Sequence, residues 1–304
     1  MDRGFLLTEQ ANPRSAHLDC LSPLAMVELF HQEDLKAVQA VAEQKAQIAQ
    51  AIVMVSSALG AGGRLFYVGA GTSGRLGVLD AAECPPTFCT EPELVQAIIA
   101  GGIDALVRSA ESAEDSFTAG AQVIRARGVT AKDVVLGITA GGTTPFVHGA
   151  LQTAQQLGAK TIFLACVPAV QVPTAYDLEI RPLVGAEVLT GSTRLKAGTA
   201  TKLVLNMIST GAMVQLGKVY GNRMVDVAIT NQKLYDRALR ILTDLTGCDR
   251  ATAEQVLAQA GKKTKVALLM LKMGCNPQRA ENLLQQNQGN LRRALGEPCP
   301  PSSP

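Results

Sequence analysis

Apolar residues first recur at helical spacing. Ser22-Pro23 has the form of an N-cap followed by proline at the first helical position, and apolar side chains return every three or four residues from there to about residue 59. Residues 60–63 (GAGG) end that helix. The period then changes. Residues 64–68 (RLFYV) form a short β-rich run, followed by a glycine turn and a helical pattern over 73–83. Runs at 94–99 (LVQAII), 133–138 (DVVLGI), 160–166 (KTIFLAC) and 178–184 (LEIRPLV) supply further strands. Helical patterns over 105–113 and 116–127, and another after residue 145, fall between them. Apolar strands separated by helices, with glycine turns at the strand C-termini, predict an α/β fold with a five-stranded parallel sheet flanked by helices.

Beyond the sheet the pattern is helical over 198–220 and again over 229–245. The character changes after Thr246-Gly247. Short helices are predicted over 251–259, 263–272 and 278–285, the last opened by Asn276-Pro277. This divides the chain into an α/β domain over 1–245, a three-helix module over 246–296 and a disordered tail over 297–304.

Composition narrows the function. The chain has 304 residues, 47% of them hydrophobic, enough for a sizeable core. A net charge of +2, 4% aromatic residues and no Trp argue against a nucleic-acid partner. Seven scattered cysteines without a C-x-x-C, and three histidines outside metal-ligand spacing, read as reduced thiols of a cytoplasmic protein and give no metal site. The first residues lack a signal-peptide core, and no run of about 18 apolar residues predicts a membrane span.

Two turns carry candidate chemistry. Gly69-Ala70-Gly71-Thr72-Ser73-Gly74 fits G-x-G-x-x-G and adds hydroxyls at Thr72 and Ser73. Residues 139–145 (TAGGTTP) offer Thr139, Thr143 and Thr144 with Gly141 and Gly142. The N-terminus of a helix presents free N–H groups and partial positive charge, and glycine lets the backbone approach an anion. A dinucleotide site calls for an acid at the end of the second strand. That strand instead ends Ile99-Ala100-Gly101-Gly102, with Asp104 already past the turn. Hydroxyls on two turns suit a compact phosphomonoester better, although a tight turn without a ligand and a dinucleotide site both stay open at this point.

Two carboxylates stand near these turns. Glu83 falls at the end of the predicted helix, where the dipole disfavours an anion, and partial dehydration would raise its pKa as a proton donor requires. Glu114 sits in ESAEDS after the second strand. Each has an ordinary alternative: a solvated helix-end glutamate and a polar connection.

The segments YVGAGTSGRLGVLDAAECPPTF, AGG with SAEDS downstream, and EVLTGSTRLKAGTATKLVLNMISTGAMVQLGKVYGNRMVDV closely resemble the N-acetylmuramic acid 6-phosphate etherases, in order, from about residue 21 to 295. The resemblance implies a three-layer SIS-type fold (the sugar isomerase domain) with a small C-terminal helical module, a homodimer, and no cofactor. It implies cleavage of the D-lactyl ether of N-acetylmuramic acid 6-phosphate to N-acetylglucosamine 6-phosphate and D-lactate, a step of cell-wall sugar recycling. In the open-chain sugar the C1 aldehyde acidifies the C2 proton, and the ether at C3 is then β to the carbonyl. By position Glu83 matches the family's acid, in D-A-A-E-C, and Glu114 its base. The phosphosugar would contact Gly71, Thr72, Ser73, Thr139, Gly141, Thr143 and Thr144.

The second turn departs from the family's A-A-S-G-R-T-P: Gly141 replaces the usual serine and Thr143 the usual arginine. Thr139 is the expected replacement hydroxyl. Arg194 and Lys196, in GSTRLKAGT, are candidates for a substrate carboxylate or phosphate, against the alternative of surface charge at a helix start; Glu187 ahead of them reads equally well as structural. Two other classes compete with the etherase: a non-catalytic phosphosugar regulator and an aldose–ketose phosphosugar isomerase, which needs no acid for a leaving group.

Overall fold

A computed structural model describes residues 3–108 and 110–299. They divide into two compact units. One comprises the described residues up to Ala82 together with Pro92–Gly211; the other comprises Glu83–Glu91 and the described residues from Ala212 onward.

The first unit opens with short 3₁₀ turns, then α1 (Pro23–Ala42) and α2 (Lys45–Gly60). Ser22 caps α1 by accepting from the Ala25 amide, with Pro23 behind it. The single long helix expected here is broken at Gln44, whose Oε1 accepts from the Arg181 amide at 2.9 Å. A bond across 137 positions leaves no periodic signal. Then come β1 (Leu65–Gly69), α3 (Gly71–Phe88), β2 (Val95–Ile99), α4 (Glu111–Glu114), α5 (Phe117–Ala126), β3 (Val134–Ile138), α6 (Pro145–Gln156), β4 (Lys160–Leu164), β5 (Leu178–Ile180) and α7 (Lys196–Gln215). The helix expected over 105–113 is instead a 3₁₀ turn at Ile103–Leu106 and the single turn of α4. Helix α3 runs on through Pro85 and Pro86, each of which removes an amide donor and crowds the carbonyl four residues back.

All five strands pair in parallel in the order β2-β1-β3-β4-β5. Side chains alternate between the faces. Phe66, Val68, Val135 and Phe163 pack in one cluster with Ile124 of α5 and Val147, Ala150 and Leu151 of α6. Gly137 makes that contact close: a Cβ there would lie 2.6 Å from Leu151 Cδ1. Tyr67 points to the opposite face, where its hydroxyl donates to Asp80 of α3 at 2.9 Å and Lys202 of α7 donates to the same carboxylate at 2.7 Å. Fully burying each large side chain contributes about 1.5–3 kcal/mol. The chain reverses its winding direction between β1 and β3, where sheets of this kind bind ligands.

The second unit contains α8 (Gln232–Thr246), α9 (Arg250–Gln259), α10 (Thr264–Met273), α11 (Pro277–Gln286) and α12 (Leu291–Ala294). Asn231, Asp249, Asn276 and Asn290 cap four of them. Leu234, Leu239 and Leu242 of α8 share one core with Leu257, Leu268, Leu269 and Leu291. The division therefore falls before α8 and not at 245, where the sequence changes character. That change marks Gly247, the left-handed cap of α8 at φ 73°, inside the unit. Lys265 is buried and donates to Gly217 O, Asp226 and Gly289 O; burial pushes its amine down and Asp226 partly restores it. The tail expected to be disordered lies outside the described residues from 300 onward, while Glu297 is fixed by Lys272 at 3.0 Å.

Candidate functional site

A cavity of about 270 Å³ opens in the first unit at the ends of β1 and β3. Its lining includes Gly71, Thr72, Ser73, Glu114, Thr139, Gly141, Thr143 and Thr144. Eight residues singled out in the sequence thus meet in one place. Glu83 and Arg194 are not among the lining residues. Glu83 belongs to the second unit and is exposed. Arg194 is exposed, although its neighbour Thr193 lines the cavity.

The first turn is set by its backbone. A Cβ on Gly69 would lie 2.7 Å from the Gly74 amide nitrogen, and one on Gly74 would lie 2.6 Å from Ile99 Cγ1. Gly71 has φ +52° with open space around it, so it is glycine for its backbone and not for packing. Gly74 N–H bonds Ala70 O at 3.2 Å, which leaves the amides of Gly71, Thr72 and Ser73 without a partner inside α3. Three free N–H groups at a helix start, beside two hydroxyls, favour an anion there.

The second turn is held by side chains. Thr139, only 2% exposed, places Oγ1 2.8 Å from Thr144 Oγ1. When one hydroxyl of such a pair donates to the other, the acceptor's proton remains for a ligand. Gly142 sits at φ +75°, and its carbonyl accepts from His148 Nε2 at 2.7 Å. A carbonyl cannot donate, so Nε2 carries a proton, and Nδ1 lies 2.8 Å from the Tyr176 hydroxyl. Burial and the charge of Glu179 push that phenol up to about 12, so it stays a donor.

The N-terminal segment also reaches the cavity, bringing Arg3, Leu6 and Glu9. It is pinned at both ends. Leu7 N–H donates to Gln171 Oε1 at 3.0 Å, and Gln171 Nε2 donates to Phe5 O at 2.9 Å. Further along, Asn12 and Arg14 donate to Glu33 at 3.0 and 2.8 Å. Nothing local in the sequence marks these residues, because their contacts span up to 166 positions.

Lys196 does not line the cavity. It is 1% exposed and pairs with the fully buried Glu33 at 2.7 Å. Burial alone would raise the Glu33 carboxyl; donation from Lys196, Lys36 and Asn12 overrides it and holds the group at about 2. Glu187 is structural: it caps α7 by accepting from the Lys196 and Ala197 amides, each at 3.0 Å. Burial pushes its carboxyl up, and those two amides and the Lys196 charge only partly offset that.

Comparison with known proteins sets the class first. The glucokinase regulatory protein N-terminal SIS domain matches residues 37–155, and the C-terminal lid domain of glucokinase regulatory protein matches residues 221–267. Fold and turns together define an SIS-type domain followed by a helical unit. The N-acetylmuramic acid 6-phosphate etherase of Rippkaea orientalis is 61% identical over 97% of this chain and 96% of its own, and that of Nostoc punctiforme 63% over the same shares. The chain belongs to the N-acetylmuramic acid 6-phosphate etherase family. Among solved structures, a phosphoheptose isomerase from Francisella tularensis covers 64% of this chain and 100% of its own at a TM-score of 0.49 and 20% identity, a likeness too loose to bear on the site.

Proposed function

We propose that this protein cleaves the D-lactyl ether of N-acetylmuramic acid 6-phosphate, releasing N-acetylglucosamine 6-phosphate and D-lactate in amino-sugar recycling. The observation that carries the reading is the single cavity that joins both hydroxyl turns, the free start of α3 and the carboxylate of Glu114, in a chain of this family. The 6-phosphate accepts from the amides of residues 71–73 and the hydroxyls of the two turns. Glu114 takes the C2 proton, the C3–O bond breaks, and Glu83 protonates the departing lactate oxygen. A 2,3-unsaturated aldehyde results. Water then adds at C3, giving a proton to Glu83 while Glu114 returns its proton to C2, and the net change is addition of one water. The first step is an elimination, which makes the enzyme a carbon–oxygen lyase. The assignment of Glu83 rests on the D-A-A-E-C segment.

The functional form is a homodimer in the cytoplasm. Support comes from the apolar residues that α1 leaves exposed (Leu24, Val27, Leu35 and Val38), and from the absence of disulfides among the described cysteines. No helix among the described residues is long and apolar enough to cross a membrane.

The test is D-lactate release from N-acetylmuramic acid 6-phosphate, with the unphosphorylated sugar as control. Replacing Glu83 or Glu114 by Gln is expected to slow release about 10²- to 10⁴-fold. Binding without lactate would instead mark a phosphosugar regulator, and conversion of an aldose phosphate to its ketose would mark an isomerase.

A further inference from the structure

We propose that Arg3 recognises the carboxylate of the substrate's lactyl ether and so sets specificity for that group. The inference rests on the reading above and adds a residue to it. Arg3, Glu9 and Glu114 are the charged side chains that line the cavity, so Arg3 is the one cation among the described lining residues. Glu9 and Glu114 alone would repel an anion.

The phosphate end of the cavity already has its donors in the amides of residues 71–73 and the threonines of the second turn. Arg3 stands near the Glu114 end: it pairs with Asp115, the residue after Glu114, at 3.9 Å. If Glu114 removes the C2 proton, the lactyl group on C3 stands on the next carbon, with its carboxylate at the same end. The Arg3–Asp115 pair is loose, and both side chains are largely solvated, at 48% and 67% exposure. Such a pair contributes little to stability, so the guanidinium is available to a carboxylate that it can hold by two parallel hydrogen bonds. The backbone beneath it is fixed by the Leu7–Gln171 and Gln171–Phe5 bonds, which keeps Arg3 beside the cavity.

The experiment compares two ligands that share the phosphate and differ in the lactyl carboxylate. KM for N-acetylmuramic acid 6-phosphate is measured by lactate release. The inhibition constant of N-acetylglucosamine 6-phosphate, which has no carboxylate, is measured beside it. Arg3→Met is expected to raise KM about 10- to 100-fold and leave the inhibition constant within about twofold. Arg3→Lys keeps the charge without the fork and should fall between. Equal weakening of both ligands would place Arg3 on the phosphate, and an unchanged KM would remove it from recognition; either overturns the proposal. A wild-type protein that releases no lactate would instead overturn the etherase reading itself.

Discussion

The two turns that meet in the cavity do the same work by different means. In 69–74 the backbone is the device. Gly69 and Gly74 let strand and helix touch, Gly71 takes the left-handed φ, and three amides are left free. In 139–145 the device is a set of side chains: Thr139 on Thr144, and His148 on Gly142 with Tyr176 behind it. The first turn is held tight because nothing larger fits at Gly69 or Gly74. The second is rigid only while its partners hold it, so the two should fail differently under mutation.

The largest effect is expected at the first turn. Gly69→Ala pushes a Cβ against backbone that cannot move aside, and should cost about 3 kcal/mol in chemical denaturation. Gly71→Ala meets no atom within 4 Å and should cost about 1 kcal/mol, from backbone strain alone. Equal losses would show that packing does not distinguish the two glycines.

Acid should act through the second turn. Leu6 and Thr8 lie against Gly141, and their segment is anchored on Glu33 through Asn12 and Arg14. The Glu33 carboxyl is depressed from 4.5 to about 2, so its contribution is present above pH 4.5 and is lost as pH falls from there towards 2. The stability at stake is about 3 kcal/mol. Glu33→Gln should flatten that part of the pH–stability curve, and a curve that keeps its slope would refute the assignment.

Next in size is His148. His148→Phe leaves the Gly142 carbonyl without its donor, worth about 2 kcal/mol, and should raise KM for the phosphosugar more than it lowers kcat. His148→Gln restores a donor and should recover part of the loss. Equal kinetics for the two variants would mean that the ring acts by packing alone.

The smallest effects probe the hydroxyls themselves. Thr139→Ala should raise KM about tenfold by removing half of the Thr139–Thr144 pair. Gly141→Ser should lower KM about threefold. Its φ is ordinary, and a Cβ there would meet Thr8 Oγ1 at a comfortable 3.5 Å. Thr8 Oγ1 is buried without a hydrogen bond, so a serine also offers it a partner. A rise in KM would show that the glycine is needed for close approach of the main chain.

The sequence by itself determined the five strands and the glycine-rich start of α3. Alternating and helical periods record which face of each element leaves water, and a left-handed or close-packed position can be read from a glycine at fixed spacing. It also marked Glu114 and the threonines through a long resemblance. Only tertiary structure decided what holds the second turn, which cation lines the cavity, and where Lys196 goes. Arg3, His148 with Tyr176, and Glu33 with Lys196 act through contacts between residues far apart in the chain. Such pairings depend on how elements pack and leave no local period to read. The same reason hid the break at Gln44 and the place of α8 in the second unit.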